Sequence, residues 1–231
     1  MCDTNSGHVI SRRQALSLFT APIILGLAGC SSNDPAEDDP MVGACVAQPQ
    51  LAEGPFFVDT GLMRTDIREG KEGALMQLNI KVMQVGTDVC TPIEQALVDI
   101  WHTDANGDYS GVQGLEDQQF LRGMQTTDAD GNVSFTTIYP GWYPGRAVHI
   151  HFKVRSSATS TSAYEFTSQL FFDDNFSRQI YQQAPYDARG EQNTTNDSDG
   201  IFGQSGNQLM LAIEEIDDRL VASFEVGLLI G

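Results

Sequence analysis

Two histidines two residues apart, His149 and His151, stand in the segment Ala147-Val148-His149-Ile150-His151-Phe152-Lys153-Val154. Val148, Ile150, Phe152 and Val154 alternate with His149, His151 and Lys153, the period of a β-strand. The apolar four therefore enter a core while both imidazoles leave on the opposite face. Imidazoles at i and i+2 stand close enough to share one metal ion, although a polar strand face can also satisfy such a pair with solvent. The segment before them narrows the choice. Pro140, Gly141, Trp142, Tyr143, Pro144 and Gly145 form a stiff loop ahead of Arg146, and such a loop can aim the Tyr143 phenol back at the strand that follows. An aromatic side chain at that place would otherwise serve the core.

Phenols change which metal fits. Iron(III) is a hard, highly charged cation and prefers anionic oxygen to sulfur. Two phenolates, two neutral imidazoles and one hydroxide around Fe(III) sum to zero charge, which limits the cost of burying the site. Zinc would more usually recruit Cys or a carboxylate beside its histidines. Calcium fits worse. Asp104, Asn106 and Asp108, and again Asp128, Asp130 and Asn132, imitate the start of an EF-hand loop. Their sixth positions are Tyr109 and Val133 rather than glycine, and their twelfth are Leu115 and Tyr139 rather than glutamate. Both read as turns.

The elements that must carry these side chains are strands. Met76, Leu78, Ile80 and Val82 interleave with Gln77, Asn79 and Lys81. Further strand patterns span 96–102, 133–138, 167–172 and 222–230, with turn-rich stops between them such as Asp128-Ala129-Asp130-Gly131-Asn132. Helical periodicity is scarce. The pattern predicts an all-β fold, an antiparallel β-sandwich or barrel with long loops and little helix.

Ahead of this domain, Arg12 and Arg13 enter an apolar run from Ala15 to Gly29, too short to span a bilayer comfortably and fitting an export signal of the twin-arginine type. Leu27-Ala28-Gly29-Cys30 resembles a bacterial lipobox, with Cys30 the lipidation site. The expected organisation is a signal peptide at 1–29, a flexible acidic tether at 30–44 and one domain at 45–231. Export as a periplasmic or cell-envelope lipoprotein follows, with membrane contact only through the lipid. An oxidising compartment favours a Cys45–Cys90 disulfide. With 31 acidic and 13 basic residues, a formal charge of −18 excludes nucleic acid as a natural partner.

Several motifs together resemble the intradiol ring-cleavage dioxygenases. They are Glu53-Gly54-Pro55-Phe56-Phe57, Val98-Asp99-Ile100-Trp101-His102 and Gly107-Asp108-Tyr109-Ser110-Gly111. Pro140 to Arg146, His149-Ile150-His151, Thr167-Ser168-Gln169, Pro185 to Gly190 and Asp199-Gly200-Ile201-Phe202 complete the set. The resemblance implies a β-sandwich in which Tyr109, Tyr143, His149 and His151 hold Fe(III). It also implies that Arg146 and Gln169 hold the reacting substrate and that Tyr143 leaves the metal to take a proton. The implied reaction cleaves a catechol-type aromatic diol between its hydroxylated carbons with O2, giving a muconate-type diacid, and an oligomer is compatible with it. Two departures stand out. A long helical N-terminal domain is missing from the pattern, and Phe56-Phe57 replaces the tyrosines often found after Glu-Gly-Pro. Other readings stay open: a metal-free, transthyretin-like or carbohydrate-binding sandwich, and a copper or iron(II) oxygenase that leaves the tyrosine loop unexplained.

Overall fold

Met76, Leu78, Ile80 and Val82 are fully buried along β1 (Leu75–Val85), while Gln77, Asn79 and Lys81 between them are partly exposed. In the computed structural model, which describes residues 46–87, 89–158 and 162–230, β1 lies inside a five-stranded sheet. Along one edge it pairs antiparallel with β2 (Cys90–Pro92) and β5 (Asn132–Ile138). Along the other it runs parallel to β9 (Arg219–Leu228), which pairs antiparallel with β8 (Ala212–Ile216). The second sheet has the order β4 (Arg122–Thr126), β3 (Leu97–Trp101), β6 (His149–Arg155) and β7 (Glu165–Phe171), antiparallel throughout.

One core joins the inner faces. Leu78, Ile80, Phe135, Ala222 and Val226 from the first sheet meet Val98, Ile100, Ile150, Phe152 and Leu170 from the second. Burying each larger side chain contributes about 1.5–3 kcal/mol relative to exposure, so this layer is what makes the two sheets one domain. The all-β sandwich expected from the alternation is the fold. Its one parallel pair, β1 with β9, joins opposite ends of the described domain, and a parallel pairing requires such a long connection. Among the described residues helix is limited to α1 (Asp174–Ile180), capped by Asp173 Oδ1 accepting from the Phe176 amide at 2.9 Å, and four short 3₁₀ turns. Cys90 is a half-cystine. Its expected partner Cys45 lies outside the described residues, as do Cys30, the signal and the tether.

The strand with the histidines is buried on both faces. Ile150, Phe152 and Val154 enter the core as their alternation requires. The opposite face, which the sequence leaves to solvent, is instead roofed by loops. The segment after Ala47 runs along the β7 edge, with Leu51 N donating to Thr167 O at 3.1 Å, and then crosses this face, with Gln169 Nε2 donating to Ala52 O at 2.6 Å. Register then sets a row of four side chains across this sheet, Arg122, Trp101, His151 and Gln169, each directly opposite the next on paired strands. Directly opposed residues in an antiparallel ladder share a face, so all four stand on the roofed side.

A candidate metal centre of two phenols and two imidazoles

Tyr109 sits in the loop after β3, and the Asp-x-Asn-x-Asp pattern there shapes that loop. Asp104 Oδ1 accepts from the amides of Asn106 at 2.9 Å and Asp108 at 3.1 Å, an Asx turn that folds the loop back, while Gly107 supplies a φ of +80°. The Asp104 carboxylate is thus used by backbone amides and by Lys71, which reaches its Oδ2 at 2.8 Å. This loop is pinned to the one carrying Tyr143. Thr103 Oγ1 donates to Gly141 O at 2.6 Å and Gly141 N to Asp104 O at 3.0 Å. Any side chain at 141 would collide with the carbonyls of Asp104 and Ala105, so glycine permits this approach. On its other side the Tyr143 loop is braced by Trp142 Nε1 donating to Gly190 O at 2.9 Å and Gly145 N to Thr194 Oγ1 at 3.1 Å.

Both phenols consequently end beside the imidazoles. Tyr109 Oη lies 3.4 Å and Tyr143 Oη 3.3 Å from His149 Nε2, and His151 Nε2 lies 3.0 Å from that same nitrogen. His149 Nδ1 is 2.6 Å from Ala147 O. A carbonyl only accepts, so this contact puts the proton on Nδ1 and the lone pair on Nε2. Three polar atoms therefore crowd around one lone pair. A cation held among the four atoms relieves this crowding, since each would offer it an electron pair.

Electrostatics prepares the imidazoles for that role. Burial, with Arg146 adding to it, pushes His149 down to about 3, and burial with the neighbouring His149 pushes His151 well below the usual histidine range. Both rings are neutral at ordinary pH, as ligation requires. Burial raises the Tyr109 phenol well above its usual value and raises Tyr143 less, with Arg146 working against the rise at both. Two buried phenols ionise only with a cation beside them, so the donor set fits a hard, multiply charged ion. Among the described residues no three His, Cys, Asp or Glu side chains converge as a metal cluster. The phenols supply the other half of this one.

His151 Nδ1 is buried without a hydrogen-bond partner. Stacking orients its ring instead. Trp101 lies nearly parallel to it, at 4.9 Å between centroids and 4° between planes, and Gly54 approaches Cε1 from the roof. That roof carries the two phenylalanines, Phe56 stacked on Tyr109 at 4.6 Å and Phe57 tilted against Trp101 at 4.9 Å. Glu53 pairs with the buried Lys153, whose ammonium also lies 4.0 Å above the Phe57 ring.

Arg146 and Gln169 lie beside these donors. Arg146 Nη1 approaches Tyr143 Oη at 3.5 Å, Nη2 donates to Gln169 Oε1, and Gln169 Nε2 donates to Ala52 O at 2.6 Å. Sequence reasoning gave Asp199 no role of its own. Its Oδ2 accepts from Arg146 Nε at 2.9 Å and from the Ala147 amide at 2.7 Å. Burial raises this carboxyl, but those bonds and the Ile201 amide outweigh it and hold the group below the usual carboxylate range. Only its place in the Asp-Gly-Ile-Phe motif pointed to it. The third histidine of the described region, His102, stays out of the site, held by Thr103 O at 2.8 Å and Thr137 Oγ1 at 2.7 Å.

A sequence profile described as Dioxygenase matches residues 52–199, which contain all four donors together with Arg146, Gln169 and Asp199. The chain belongs to the intradiol ring-cleavage dioxygenase family. An intradiol ring-cleavage dioxygenase from Tetranychus urticae superposes with a TM-score of 0.72 at 30% identity, covering 81% of this chain and 95% of that one. The dioxygenase domain of a carbohydrate-binding fusion protein from Streptomyces sp. SirexAA-E gives 0.60 at 26% identity, covering 80% and 100%. A chlorocatechol 1,2-dioxygenase of Pseudomonas sp. (strain P51) is 30% identical over 144 residues, 52% of this chain and 54% of that protein. The chain spans about half the length of the curated relatives it matches.

Proposed function

We propose that this chain is an iron(III)-dependent intradiol dioxygenase that cleaves a catechol-type diol with O2, and that Tyr109, Tyr143, His149 and His151 hold the metal. One observation carries the reading. Two phenol oxygens and the His151 nitrogen converge within 3.4 Å of the His149 lone pair in a buried, loop-roofed pocket. Relatives named as chlorocatechol and catechol 1,2-dioxygenases support the reaction class.

Ferric iron bound there would supply a Lewis acid that receives both diol oxygens and makes the ring carbon beside them reactive toward dioxygen. The rest falls to the chain. Tyr143 is the more exposed phenol, and its Oη is placed to take a proton from an incoming diol hydroxyl. Arg146, fixed by Asp199 and Gln169, points a permanent positive charge at that same oxygen and stabilises negative charge developing on the substrate. Phe56, Phe57 and Trp101 exclude water around the donors, which strengthens these attractions.

The test is direct. Purified protein should contain stoichiometric iron, be reddish from phenolate-to-iron charge transfer, and consume O2 with catechol, protocatechuate or hydroxyquinol to give a diacid. A colourless, iron-free protein after supply of ferric iron would sink the reading. We also propose export and lipid anchoring at Cys30, supported by the twin arginines and Leu27-Ala28-Gly29-Cys30. A mature N-terminus elsewhere than an acylated Cys30, read by mass spectrometry, would remove that part.

A further inference from the structure

Arg122, the first residue of β4, is 3% exposed, yet among the described residues no carboxylate pairs with it. Its acceptors are neutral. Nε donates to Ser110 O at 3.0 Å and Ser110 Oγ at 3.1 Å, Nη2 donates to Ser110 O at 2.5 Å, and Nη1 has no partner. The other buried cations nearby are compensated, Arg146 by Asp199 and Lys153 by Glu53 and Glu165. A buried, uncompensated guanidinium is costly, and arginine is seldom fully buried unless paired. Burial pushes Arg122 down to about 10, so it stays charged at neutral pH.

Two observations indicate what its charge acts on. Arg122 begins the row that continues through Trp101 and His151, so its side chain stands on the roofed face. Its fork closes on the backbone carbonyl of Ser110, the residue directly after Tyr109.

We propose that Arg122 is a positioning residue for Tyr109: its buried charge stabilises the iron-bound Tyr109 phenolate, and its fork on Ser110 fixes where that phenolate stands. The inference rests on the ferric reading above. It distinguishes the two phenols, since Tyr143 is the more exposed and lies on a loop away from the Arg122 fork, where it is free to exchange its proton. Tyr109, stacked on Phe56 and followed directly by the Ser110 that the Arg122 fork holds, is kept as a permanent ligand.

Full-length wild type, Arg122→Lys and Arg122→Met, each loaded with ferric iron, should be compared by visible absorption and by iron retention against a chelator. Losing the cation raises the donor level of the phenolate, so the Met variant should move the charge-transfer band to longer wavelength. Losing the fork on Ser110 leaves Tyr109 less well placed, so the variant should also bind iron roughly tenfold more weakly. The Lys variant keeps the charge but not the fork, and should leave the band at its wild-type position. A merely structural arginine would alter stability without moving the band. A Met variant with unshifted band and unchanged iron affinity overturns the inference, as does a Lys variant shifted as far as Met. Should the Met variant not fold, the Lys arm decides alone, a displaced band counting against the charge role. A colourless wild type would defeat the ferric reading and this inference with it, whereas a coloured wild type with unshifted variants defeats this inference only.

Discussion

Asp199 Oδ2 receives both Arg146 Nε, at 2.9 Å, and the backbone amide of Ala147, at 2.7 Å, so one buried carboxylate fixes the guanidinium and the start of the histidine strand together. Asp199→Asn keeps the shape but removes the charge that holds Nε. Arg146 would then be free to turn away from Tyr143. The expected result is a kcat/KM lower by about 10–100-fold, the usual effect of removing an outer partner of a metal-site residue. Iron content should stay close to wild type. Steady-state kinetics with parallel iron analysis makes the check, and unchanged kcat/KM would show that Arg146 holds its place without Asp199.

Tyr143→Phe separates binding of the metal from proton transfer. Three donors remain, so the variant should keep some iron. Its turnover should drop by about 10²–10⁴-fold, the range for loss of a positioned acid–base group. Wild-type activity in this variant would remove Tyr143 from the mechanism.

His149 has a different place in the site, since its Nε2 is the atom around which the other three donors gather. His149→Ala should weaken iron binding by more than the roughly 10–100-fold typical of outer-shell changes. Iron content after gel filtration measures this, with circular dichroism confirming the fold. An iron content equal to wild type would refute the assignment.

Much of this site was legible in the sequence because strand alternation is a local property. His149, His151 and Lys153 had to share a face once Ile150, Phe152 and Val154 entered the core, and they do. Tyr109 and Arg146 were legible only through resemblance to the family, because their convergence depends on loop contacts such as Thr103 with Gly141 that no periodicity encodes. The short strands β2, β4 and β8 were missed for a similar reason. Arg122-Gly123-Met124-Gln125-Thr126 has no two-residue alternation of its own and becomes a strand through pairing with β3. The roof over the histidines was hidden too, since nothing in Glu53 to Phe57 taken alone says that it crosses β6.

Gly54 gives that roof a test. Its φ is +74°, and a Cβ there would lie 3.4 Å from His151 Cε1, whereas Gly145, with φ +86°, faces open space. Alanine at either position should cost roughly 1–2 kcal/mol for the left-handed backbone, measured by chemical denaturation. Only Gly54→Ala should also disturb His151, seen as weaker iron retention. Equal iron retention in the two variants would show that the imidazole is held without help from the roof.

The buried histidines make the metal-free protein sensitive to mild acid. His102 is pushed down to about 4 and His149 to about 3, in both cases chiefly by burial. In the unfolded chain both would titrate near the ordinary histidine value of about 6.5. Below that value the unfolded state binds protons that the folded state refuses, so stability is complete above about pH 6.5 and falls as the pH drops. Each histidine contributes a slope of about 1.4 kcal/mol per pH unit at most, ending at its folded value. Asp99, raised by burial, opposes this trend at lower pH, where its protonation favours the folded state. Urea denaturation of metal-free protein at pH 7.5, 6, 5 and 4.5 should therefore show stability declining across the series. His102→Gln should flatten that decline, because it removes one titrating group while leaving the metal site's own pair in place. Stability that stays level from pH 7 to 5 in the wild type would mean that these imidazoles are not held neutral by the fold, and the preparation of His149 and His151 as ligands would lose its physical basis.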